Sequence, residues 1–550
     1  MVSCDEQKIE KIRIIRELNS TARNPKVNNW PGMKLKDQYD YIIIGSGFGG
    51  SVCALRLAEK GYAVLVIEKG KWYQGDQFPK TNWNLKRWMW LPSLRLFGIF
   101  KLTFFRHISV LSGVGVGGGS LVYANTLPKP KSQFFNHGSW AGLAEWENEL
   151  DPFYEQAWTM LGAVENPIME TAEQDMKELA HAINKEIKPA KVAVYFGEKG
   201  KEVEDPYFNG KGPSRTGCVG CGACMTGCRY NAKNTLDKNY LHLAQQLGVV
   251  ILAENEVKDI VSLSEDGSHG YKVSFKSSTK FFGSTKTIRA NGIVFSGGVL
   301  GTVPLLLKLK KSSLPRLSDK VGDDVRSNNE ALILNVTLKK EKDYSKGIAI
   351  GAIIDLDENS HLEPVKYGAG SGFWRIMMMP MVSEKNFLIR IFKLLFIPLS
   401  DPIRWLKVLF VNDFAKRSSV LLFMQHLDST LKFRKRFFGM STSLSTGKAP
   451  SAFIPEAHQI ARKHAKITDS KSMVMWTETL SGIPSTAHIL GGAVMGQDAE
   501  TGVIDSHNKV FGYHNMYICD GSMISANPGV NPSLTITAIS ERAMSKIPSL

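Results

Sequence analysis

Residues 40–68 read DYIIIGSGFGGSVCALRLAEKGYAVLVIE and contain a complete strand, turn, helix and strand pattern. The apolar run 41–44 predicts a buried strand, and the glycines after it predict a tight turn. Residues 51–60 predict a helix that leads to a second strand at 63–67. Since all four parts follow one another at the spacing of a dinucleotide-binding unit, the stretch predicts an α/β fold.

The glycines and the terminal acid of this unit each have a physical role. Gly45 permits the sharp exit from the strand, Gly47 lets a pyrophosphate approach the backbone, and Gly50 lets the helix pack on the sheet. The start of the helix directs free N–H groups and the positive end of its dipole toward the phosphates. Glu68 lies where a carboxylate accepts hydrogen bonds from a ribose diol. The implied ligand is a dinucleotide.

Size and composition limit the class of protein. The chain has 550 residues, of which 43% are hydrophobic and 22% charged, as in ordinary globular proteins. This length favours two interleaved domains over one. The net charge of +16 suits nucleic acid, anionic lipid or acidic partners.

No segment has the pattern of an export signal or a membrane anchor. Residues 1–18 alternate charged and apolar residues at helical spacing and lack the apolar core of a secretion signal. The longest uncharged run, 108–128, contains five glycines and predicts a loop. Four of the seven cysteines lie within 218–228, which favours a reducing compartment over a distributed disulfide framework. We expect a cytoplasmic protein.

Glycine-punctuated α/β sequence recurs along the chain. The stretch from Ser112, SGVGVGGGSLVYANTLP, has too many glycines for a helix or a strand and suits a flat ligand pressed against backbone. IVFSGGVLGTVPLLLKL, from Ile293, is again strand, turn and apolar helix. The less regular stretches between these segments predict an inserted substrate domain. The predicted organisation is a discontinuous nucleotide-binding domain of residues 38–127, 215–307 and 485–550, a substrate domain of 128–214 and 308–484, and an N-terminal extension of 1–37.

Several motifs together resemble the glucose-methanol-choline (GMC) family of flavin oxidoreductases, and within it the cholesterol-oxidase-like branch. They are GSGFGG with Glu68, GVGVGGGSLVYAN, and the C-terminal HILGG, YICDGSMI and GVNPSLTITAISER. The resemblance implies noncovalent FAD on a Rossmann-like domain, and a substrate domain on a mostly antiparallel six-stranded sheet. The overall class is then α/β, or α+β for the whole chain. The implied activity is oxidation of an alcohol by hydride transfer to the flavin.

The resemblance also extends the cofactor site beyond the first glycine turn. AENEVKDIV, around Val257, resembles the segment that lies against the adenine in flavoproteins with this fold. The added cofactor-binding positions are Gly115, Gly118, Gly119, Ser120, Asn125, Val257, Asp520, Gly521, Asn531 and Pro532.

Three residues are candidates for catalysis. Alcohol oxidation needs a base for the hydroxyl proton, and His488 in STAHILGGA matches the active-site histidine of the family. Asn531 matches the asparagine that faces the flavin and the substrate oxygen, although it could equally cap the helix after Pro532. Sterol-oxidising members use a glutamate to shift a double bond after oxidation, and Glu363 in HLEPVKY is the best match. A surface glutamate is the alternative for Glu363.

The cysteines form a C-x2-C-x2-C-x3-C run, whose spacing equals that of bacterial ferredoxins. The run predicts an iron–sulfur cluster, with structural zinc, or unmetallated thiols or disulfides, as the alternatives. A cluster near the flavin would favour an electron carrier over oxygen as the acceptor. The four positions are Cys218, Cys221, Cys224 and Cys228.

Two segments, 84–107 and 386–410, interleave basic residues with aromatic and aliphatic ones. At helical spacing this suits helices that lie in the interface of an anionic membrane, with ordinary buried amphipathic helices as the alternative. So much leucine and isoleucine argues against nucleic acid as the partner.

The sequence therefore predicts a membrane-peripheral, FAD-dependent enzyme that oxidises a sterol or another bulky hydrophobic alcohol, with double-bond isomerisation as a weaker expectation. Oxygen or an unidentified carrier would accept the electrons. One alternative is a dehydrogenase for long-chain or terpenoid alcohols that passes electrons through the cysteine centre. The other is a non-catalytic flavin- or lipid-binding protein.

Overall fold

The computed structural model describes residues 35–436, 439–445 and 449–550. The charged N-terminal pattern, and with it most of the predicted extension 1–37, lies outside the described residues. The two largest sheets of the described part have seven strands each.

The first sheet is mainly parallel. Its spatial order begins with Val250–Leu252, Val64–Ile67, Gln38–Ile44 and Lys286–Phe295, all parallel. The C-terminal part of Lys286–Phe295 also pairs in parallel with Met516–Ile518. Its N-terminal part pairs antiparallel with Tyr271–Ser277, which in turn pairs antiparallel with Asn255–Ser262. Continuous apolar runs such as VLVI suit strands that are covered on both faces.

The parallel strands end at the same level. Ile44 is opposite both Ile67 and Phe295, and Phe295 is opposite Ile518. The residues that follow these strands therefore meet at the carboxyl edge of the sheet, which is where open α/β sheets bind ligands.

Helices cover this sheet. The helix after the glycine turn is Phe48–Glu59, three residues earlier at its start than predicted because Gly47 is already its N-cap. It packs against Ser533–Ser545 and Tyr240–Gln246. The other helices of ten or more residues near this sheet are Trp146–Met160 and Val299–Lys310.

The second sheet is entirely antiparallel. It has one strand more than the predicted six, because short strands form both of its edges. One face is covered by the helices Thr171–Ala182 and Pro455–Thr468. The strands in spatial order are Met378–Pro380, Ser470–Met475, Ala331–Thr337, Ser418–Gln425, Ser360–Val365, Ala352–Asp355 and Ile187–Pro189.

The strands of both sheets follow the predicted division of the chain. Those of the first sheet come from 38–127, 215–307 and 485–550, and those of the second come from 128–214 and 308–484. The domain boundaries themselves stay a prediction. Smaller sheets comprise Trp90–Leu91 with Leu96–Phe97; Phe100–Phe104, Ser109–Gly113 and Ser485–Thr486; Val325–Arg326, Thr430–Lys435 and Met440–Leu444; Val164–Glu165 with Lys191–Val192; and Glu202–Val203 with Arg215–Thr216.

The two basic, aromatic segments have different structures. The prediction of an interfacial helix at 84–107 is wrong, because only Leu85–Trp88 is α-helical there and strands follow. Two of its aromatic rings lie in the core instead: Trp88 is fully buried and stacks on the buried Phe100 with 4.8 Å between ring centroids.

Residues 386–410 do form helices, Phe387–Ser400 and Pro402–Leu409, which we call the surface helix pair. The remaining short helices are Phe414–Arg417 and Trp476–Ser481. Within the described ranges, no helix is long and apolar enough to cross a bilayer.

Candidate active site

One cavity joins the carboxyl edge of the first sheet to the uncovered face of the second. At the first sheet it is lined by Gly47, Glu68 and residues of the glycine-rich segment. At the second sheet its wall is apolar. This apolar part, which we call the chamber, is formed on the sheet by Leu332, Leu334, Val365, Val420, Leu422 and Met475.

The glycine turn has the shape expected of a phosphate cradle. Gly45 has φ +102°, and a Cβ there would lie 2.3 Å from the carbonyl oxygen of Ser296. A Cβ on Gly50 would lie 2.1 Å from the carbonyl oxygen of Gly45, so both positions exclude larger residues. At Gly47, by contrast, a Cβ would meet nothing closer than 4.0 Å. The backbone at Gly47 therefore faces open space at the N-terminus of the helix, which suits an anionic group.

Glu68 is buried at the end of its strand. Its Oε2 accepts hydrogen bonds from the backbone N–H and the hydroxyl of Ser46, at 3.0 and 2.8 Å, and its Oε1 accepts one from the backbone N–H of Gly70 at 2.7 Å. These bonds hold the carboxylate at the cavity wall, where its remaining lone pairs can accept from a ribose diol.

The glycine-rich segment that follows Ser112 and the C-terminal motif around Asp520 complete the part of the cavity at the first sheet. Gly118 and Gly119 line the cavity, and a Cβ on Gly118 would lie 2.7 Å from Cα of Gly47. Asp520 lines it too and accepts hydrogen bonds from the backbone N–H of Gly298 and the hydroxyl of Thr302, while burial raises its pKa. Gly521, Asn531 and Pro532 are further wall residues.

The other predicted cofactor positions lie outside the lining residues of this cavity. They are Gly45, Gly50, Gly115, Ser120, Asn125 and Val257. Gly45 and Gly50 allow neighbouring backbone to approach closely, and Val257 is buried within strand Asn255–Ser262. Direct contact of these residues with a cofactor stays a prediction.

His488 and Asn531 come together where the two parts of the cavity meet. Nε2 of His488 lies 3.4 Å from Nδ2 of Asn531, and both residues line the cavity. Oδ1 of Asn531 is buried without a hydrogen-bond partner among the described residues. A substrate hydroxyl placed here would meet both an acceptor nitrogen and an amide.

Glu330, which was not predicted from the sequence, orients His488. Its buried carboxylate lies 2.6 Å from Nδ1 of His488, and it also accepts a hydrogen bond from the backbone N–H of Ala487. Burial alone would lower the pKa of His488, but the charge and the hydrogen bond of Glu330 outweigh it and raise that pKa. With Nδ1–H donated to Glu330, Nε2 is left as the acceptor. No motif marks Glu330, which is 158 residues from His488 in the chain.

A second buried carboxyl group lies near Glu330. Burial, together with the charge of Glu330, raises the pKa of Glu478 to about 8. Glu478 is therefore mostly protonated at neutral pH. The negative charge beside His488 is that of Glu330, whose pKa is lowered because the histidine outweighs the effect of burial.

Comparison with known proteins identifies the family. A family model described as GMC oxidoreductase matches residues 39–326, and a second with the same description matches 424–540. The chain belongs to the GMC oxidoreductase family. It is 43% identical over 525 residues to a cholesterol oxidase of Acinetobacter baumannii, across 93% of this chain and 94% of that protein. It is 40% identical over 534 residues to a cholesterol oxidase of Mycobacterium tuberculosis, across 94% and 92%.

A solved structure of formate oxidase has a similar fold. It covers 93% of this chain and 98% of its own, with a TM-score of 0.61 at 13% identity. As a GMC family member, the protein is an FAD-dependent alcohol oxidoreductase. The open space at Gly47 and the carboxylate of Glu68 fit the ADP part of FAD.

Glu363 is not on the surface. It is fully buried in strand Ser360–Val365, where its Oε1 lies 3.5 Å from Nε2 of His361 and neither carboxylate oxygen accepts a hydrogen bond from the described residues. Glu363 is opposite Leu422 in the sheet, so its side chain leaves the same face as the chamber wall. Its charge also contributes to the raised pKa of His488.

The four cysteines do not form the predicted metal site. Among the described residues, no three histidine, cysteine, aspartate or glutamate side chains lie together in a way that could hold a metal ion. Cys218, Cys221, Cys224 and Cys228 also form no disulfide bonds with one another. An iron–sulfur cluster or a zinc ion thus finds no support in this geometry.

Proposed function

We propose that this GMC enzyme oxidises the hydroxyl group of a sterol of the 3β-hydroxysteroid class. The observation that carries the proposal is the apolar chamber, which ends at the paired side chains of His488 and Asn531. A rigid, bulky hydrocarbon suits such a wall because its burial is favourable and needs no polar partner. The identities of 43% and 40% to proteins named cholesterol oxidase support the same substrate class.

The residues divide the chemistry between them. FAD, when bound, supplies the acceptor for the hydride that leaves the carbinol carbon. Nε2 of His488 accepts the hydroxyl proton, and Glu330 stabilises the positive charge that the imidazole then carries. The amide of Asn531 positions the substrate oxygen. Oxygen as the final acceptor is part of the proposal, because the relatives are named oxidases.

Glu363 has the features of a second base. A buried carboxylate without hydrogen-bond partners, on the chamber face of the sheet, can take a proton from one carbon of the new ketone and return it to another. This moves a carbon–carbon double bond into conjugation with the carbonyl group. The double-bond shift is therefore proposed to follow oxidation in the same chamber.

Purified, FAD-loaded protein tests the substrate. Mixed with 3β-hydroxysterols without oxygen, it should lose the visible absorption of the flavin, whereas linear alcohols should cause slow loss or none. Rapid loss with linear alcohols alone would contradict the sterol assignment and favour a long-chain alcohol enzyme.

Glu363→Gln tests the second base. The variant should retain flavin bleaching but release a ketone without the ultraviolet absorption of a conjugated enone. Glu358→Gln, at an exposed position on the neighbouring turn, is the matched control. An unchanged yield of conjugated product from Glu363→Gln would exclude Glu363 as the base.

We also propose that the surface helix pair docks on an anionic membrane. Its apolar side chains are exposed although they are large, which is unusual for a soluble surface. Lys407 is exposed on the second helix and suits anionic headgroups, whereas Lys393 and Arg404 pair with Glu384 and Asp469. The exposed apolar residues of the pair are Phe387, Leu388, Ile389, Phe392, Leu395, Phe396, Leu399, Ile403 and Leu406.

The position of the helix pair suits delivery of a membrane-dissolved substrate. Trp405 and Val408 are buried in the same apolar cluster as Trp374 and Met378, and these last two residues line the cavity. A sterol leaving the lipid beside this pair would have a short apolar path to the chamber.

A sedimentation assay tests the docking. Leu395→Ser combined with Leu399→Ser should reduce binding to anionic liposomes at low salt, and salt should weaken binding of the unchanged protein. Phe281→Ser with Phe282→Ser, which removes two exposed phenylalanines elsewhere, is the matched control. Equal binding by both double variants would overturn the assignment.

A further inference from the structure

His361 lies beside the proposed second base on the same strand. It comes two residues before Glu363 in Ser360–Val365, and Val365 at the end of that strand lines the chamber. Side chains two residues apart on a strand leave the same face of the sheet. His361 therefore leaves the chamber face together with Glu363. Its position opposite Met424 agrees with this, because Met424 packs in the same apolar cluster as Val365.

The polar atoms of His361 and Glu363 lie close together without a hydrogen bond. Both residues are buried, with exposed fractions of 4% for His361 and 0% for Glu363. Nε2 of His361 lies 3.5 Å from Oε1 of Glu363, and neither atom has a hydrogen-bond partner among the described residues. Because buried polar atoms without partners are rare and costly, this pair points to a contact that forms during function.

An acidic residue on the other side of His361 is already paired. Asp355 is opposite His361 on the neighbouring strand Ala352–Asp355. Its carboxylate forms ion pairs with Lys131 and Lys188, at 3.4 and 3.2 Å. Glu363 is therefore the carboxylate that is left for His361.

A small movement is enough to join the two side chains. A hydrogen bond from a ring N–H to a carboxylate oxygen is about 2.9 Å long, so the two atoms need to approach by about 0.6 Å. With Nε2–H donated to Oε1, the carboxylate group is fixed in orientation, and Oε2 keeps its free lone pairs.

We propose that His361 is the positioning residue of the double-bond shift, and that it donates a hydrogen bond from Nε2–H to Oε1 of Glu363 while Oε2 acts as the base. The proposal rests on the proposed function of Glu363. Oε2 takes a proton from the carbon between the carbonyl group and the double bond, and the electrons of the broken C–H bond form an enolate. The same proton then bonds to the far carbon of the double bond. The conjugated ketone is thus an isomer of the first ketone, and Glu363 is again a carboxylate.

This reaction needs a carboxylate that is held in place. One oxygen has to reach two carbons in turn, because the atom that takes the proton also returns it. A carboxylate that turned freely about its last bond would exchange Oε1 and Oε2 and would hold neither at the required place. A hydrogen bond to Oε1 removes this freedom, and its loss should slow the proton transfer by about tenfold or more.

The unconjugated ketone, added directly to FAD-loaded protein, tests the proposal without the oxidation step. His361→Gln places an amide N–H near the position of Nε2, whereas the side chain in His361→Asn is shorter and does not reach Glu363. The glutamine variant should therefore retain most of the rate at which the ultraviolet absorption of the conjugated enone appears. The asparagine variant should be slower by about tenfold or more. Both variants should keep the rate of anaerobic flavin bleaching by a sterol, since that step is assigned to His488.

The matched control and the two variants make the test decisive. Met424→Leu, opposite His361 in the sheet, controls for altered packing and should change neither rate. Enone formation by His361→Asn at the unchanged rate would overturn the proposal. A parallel loss of bleaching and enone formation in that variant would also overturn it, because such a loss indicates a structural role. A glutamine variant that folds but loses enone formation would overturn it even if the asparagine variant failed to fold.

Glu363→Gln separates this proposal from the proposed function. If the unchanged protein does not accelerate enone formation, or if Glu363→Gln does so equally, Glu363 is not the base and both proposals fail. If Glu363→Gln abolishes enone formation and His361→Asn does not alter it, the function of Glu363 stands and only the role of His361 fails.

Discussion

Glu330→Gln tests whether the carboxylate beside His488 sets its basicity. His488 must be neutral at Nε2 to accept the hydroxyl proton, so flavin reduction should increase as pH rises through the pKa of His488. Because Glu330 raises that pKa, loss of its charge should move the acidic limb of the pH profile to lower pH.

The size of the shift follows from the contact. Glu330 and His488 share a 2.6 Å hydrogen bond between charged groups in a fully buried place. Such a bond contributes about 1.5–3 kcal/mol net. Since one pKa unit corresponds to about 1.4 kcal/mol, the limb should move by about one to two pH units. At high pH the weaker base should also be slower, by about tenfold, while the glutamine oxygen can still orient the ring.

Stopped-flow measurement of anaerobic flavin reduction by a sterol, from low to high pH, provides the assay. Glu500→Gln, which removes an exposed carboxylate, should leave the profile unchanged. An acidic limb of Glu330→Gln at the same pH as in the unchanged protein would refute the role of Glu330. A uniform loss of rate without a shift would indicate a structural effect only.

Four further substitutions test the cavity and its support. Gly47→Ala should fold normally but bind FAD more weakly, because the new methyl group enters open space at the helix N-terminus; Gly45→Ala should lower the melting temperature, since its Cβ would meet backbone at 2.3 Å. Leu422→Trp should raise KM for sterols without changing the affinity for FAD, because Leu422 lines the chamber. Lys366→Met should destabilise the fold by about 3–5 kcal/mol in denaturant unfolding, because it leaves Glu173 buried without its 2.6 Å partner; unchanged stability would show that this carboxylate is not charged.

Local patterns explain why the first strand, its glycine turn, the helix and the second strand could be predicted from the sequence. The apolar runs, the glycine turn and Glu68 lie within 29 consecutive residues, and their spacing is dictated by strand and helix geometry. His488 and Asn531 were predicted from motifs, and the fold brings them within 3.4 Å of each other.

Features that depend on tertiary packing were predicted wrongly or were not predicted at all. Interleaved basic and aromatic residues predicted helices at both 84–107 and 386–410, yet the first segment is helical only at Leu85–Trp88. Segment 84–107 has a similar composition, but Trp88 and Phe100 stack on each other in the core. Burial and stacking there stabilise these rings more than exposure at a surface would. Cysteine spacing likewise predicted a metal site, whereas the thiols do not converge as ligands.

The sequence by itself determined the strand, turn and helix that receive FAD, because contacts between near neighbours depend on periodicity and on the room that glycine leaves. Only the tertiary structure decided that Glu330 holds His488 and that Glu363 leaves the sheet on the chamber side. These placements depend on strand register and on burial, which sum contributions from residues far apart in the chain. The charge of a side chain follows from the residue type, but the strength of its electrostatic effect on a neighbouring group depends on the distance between them.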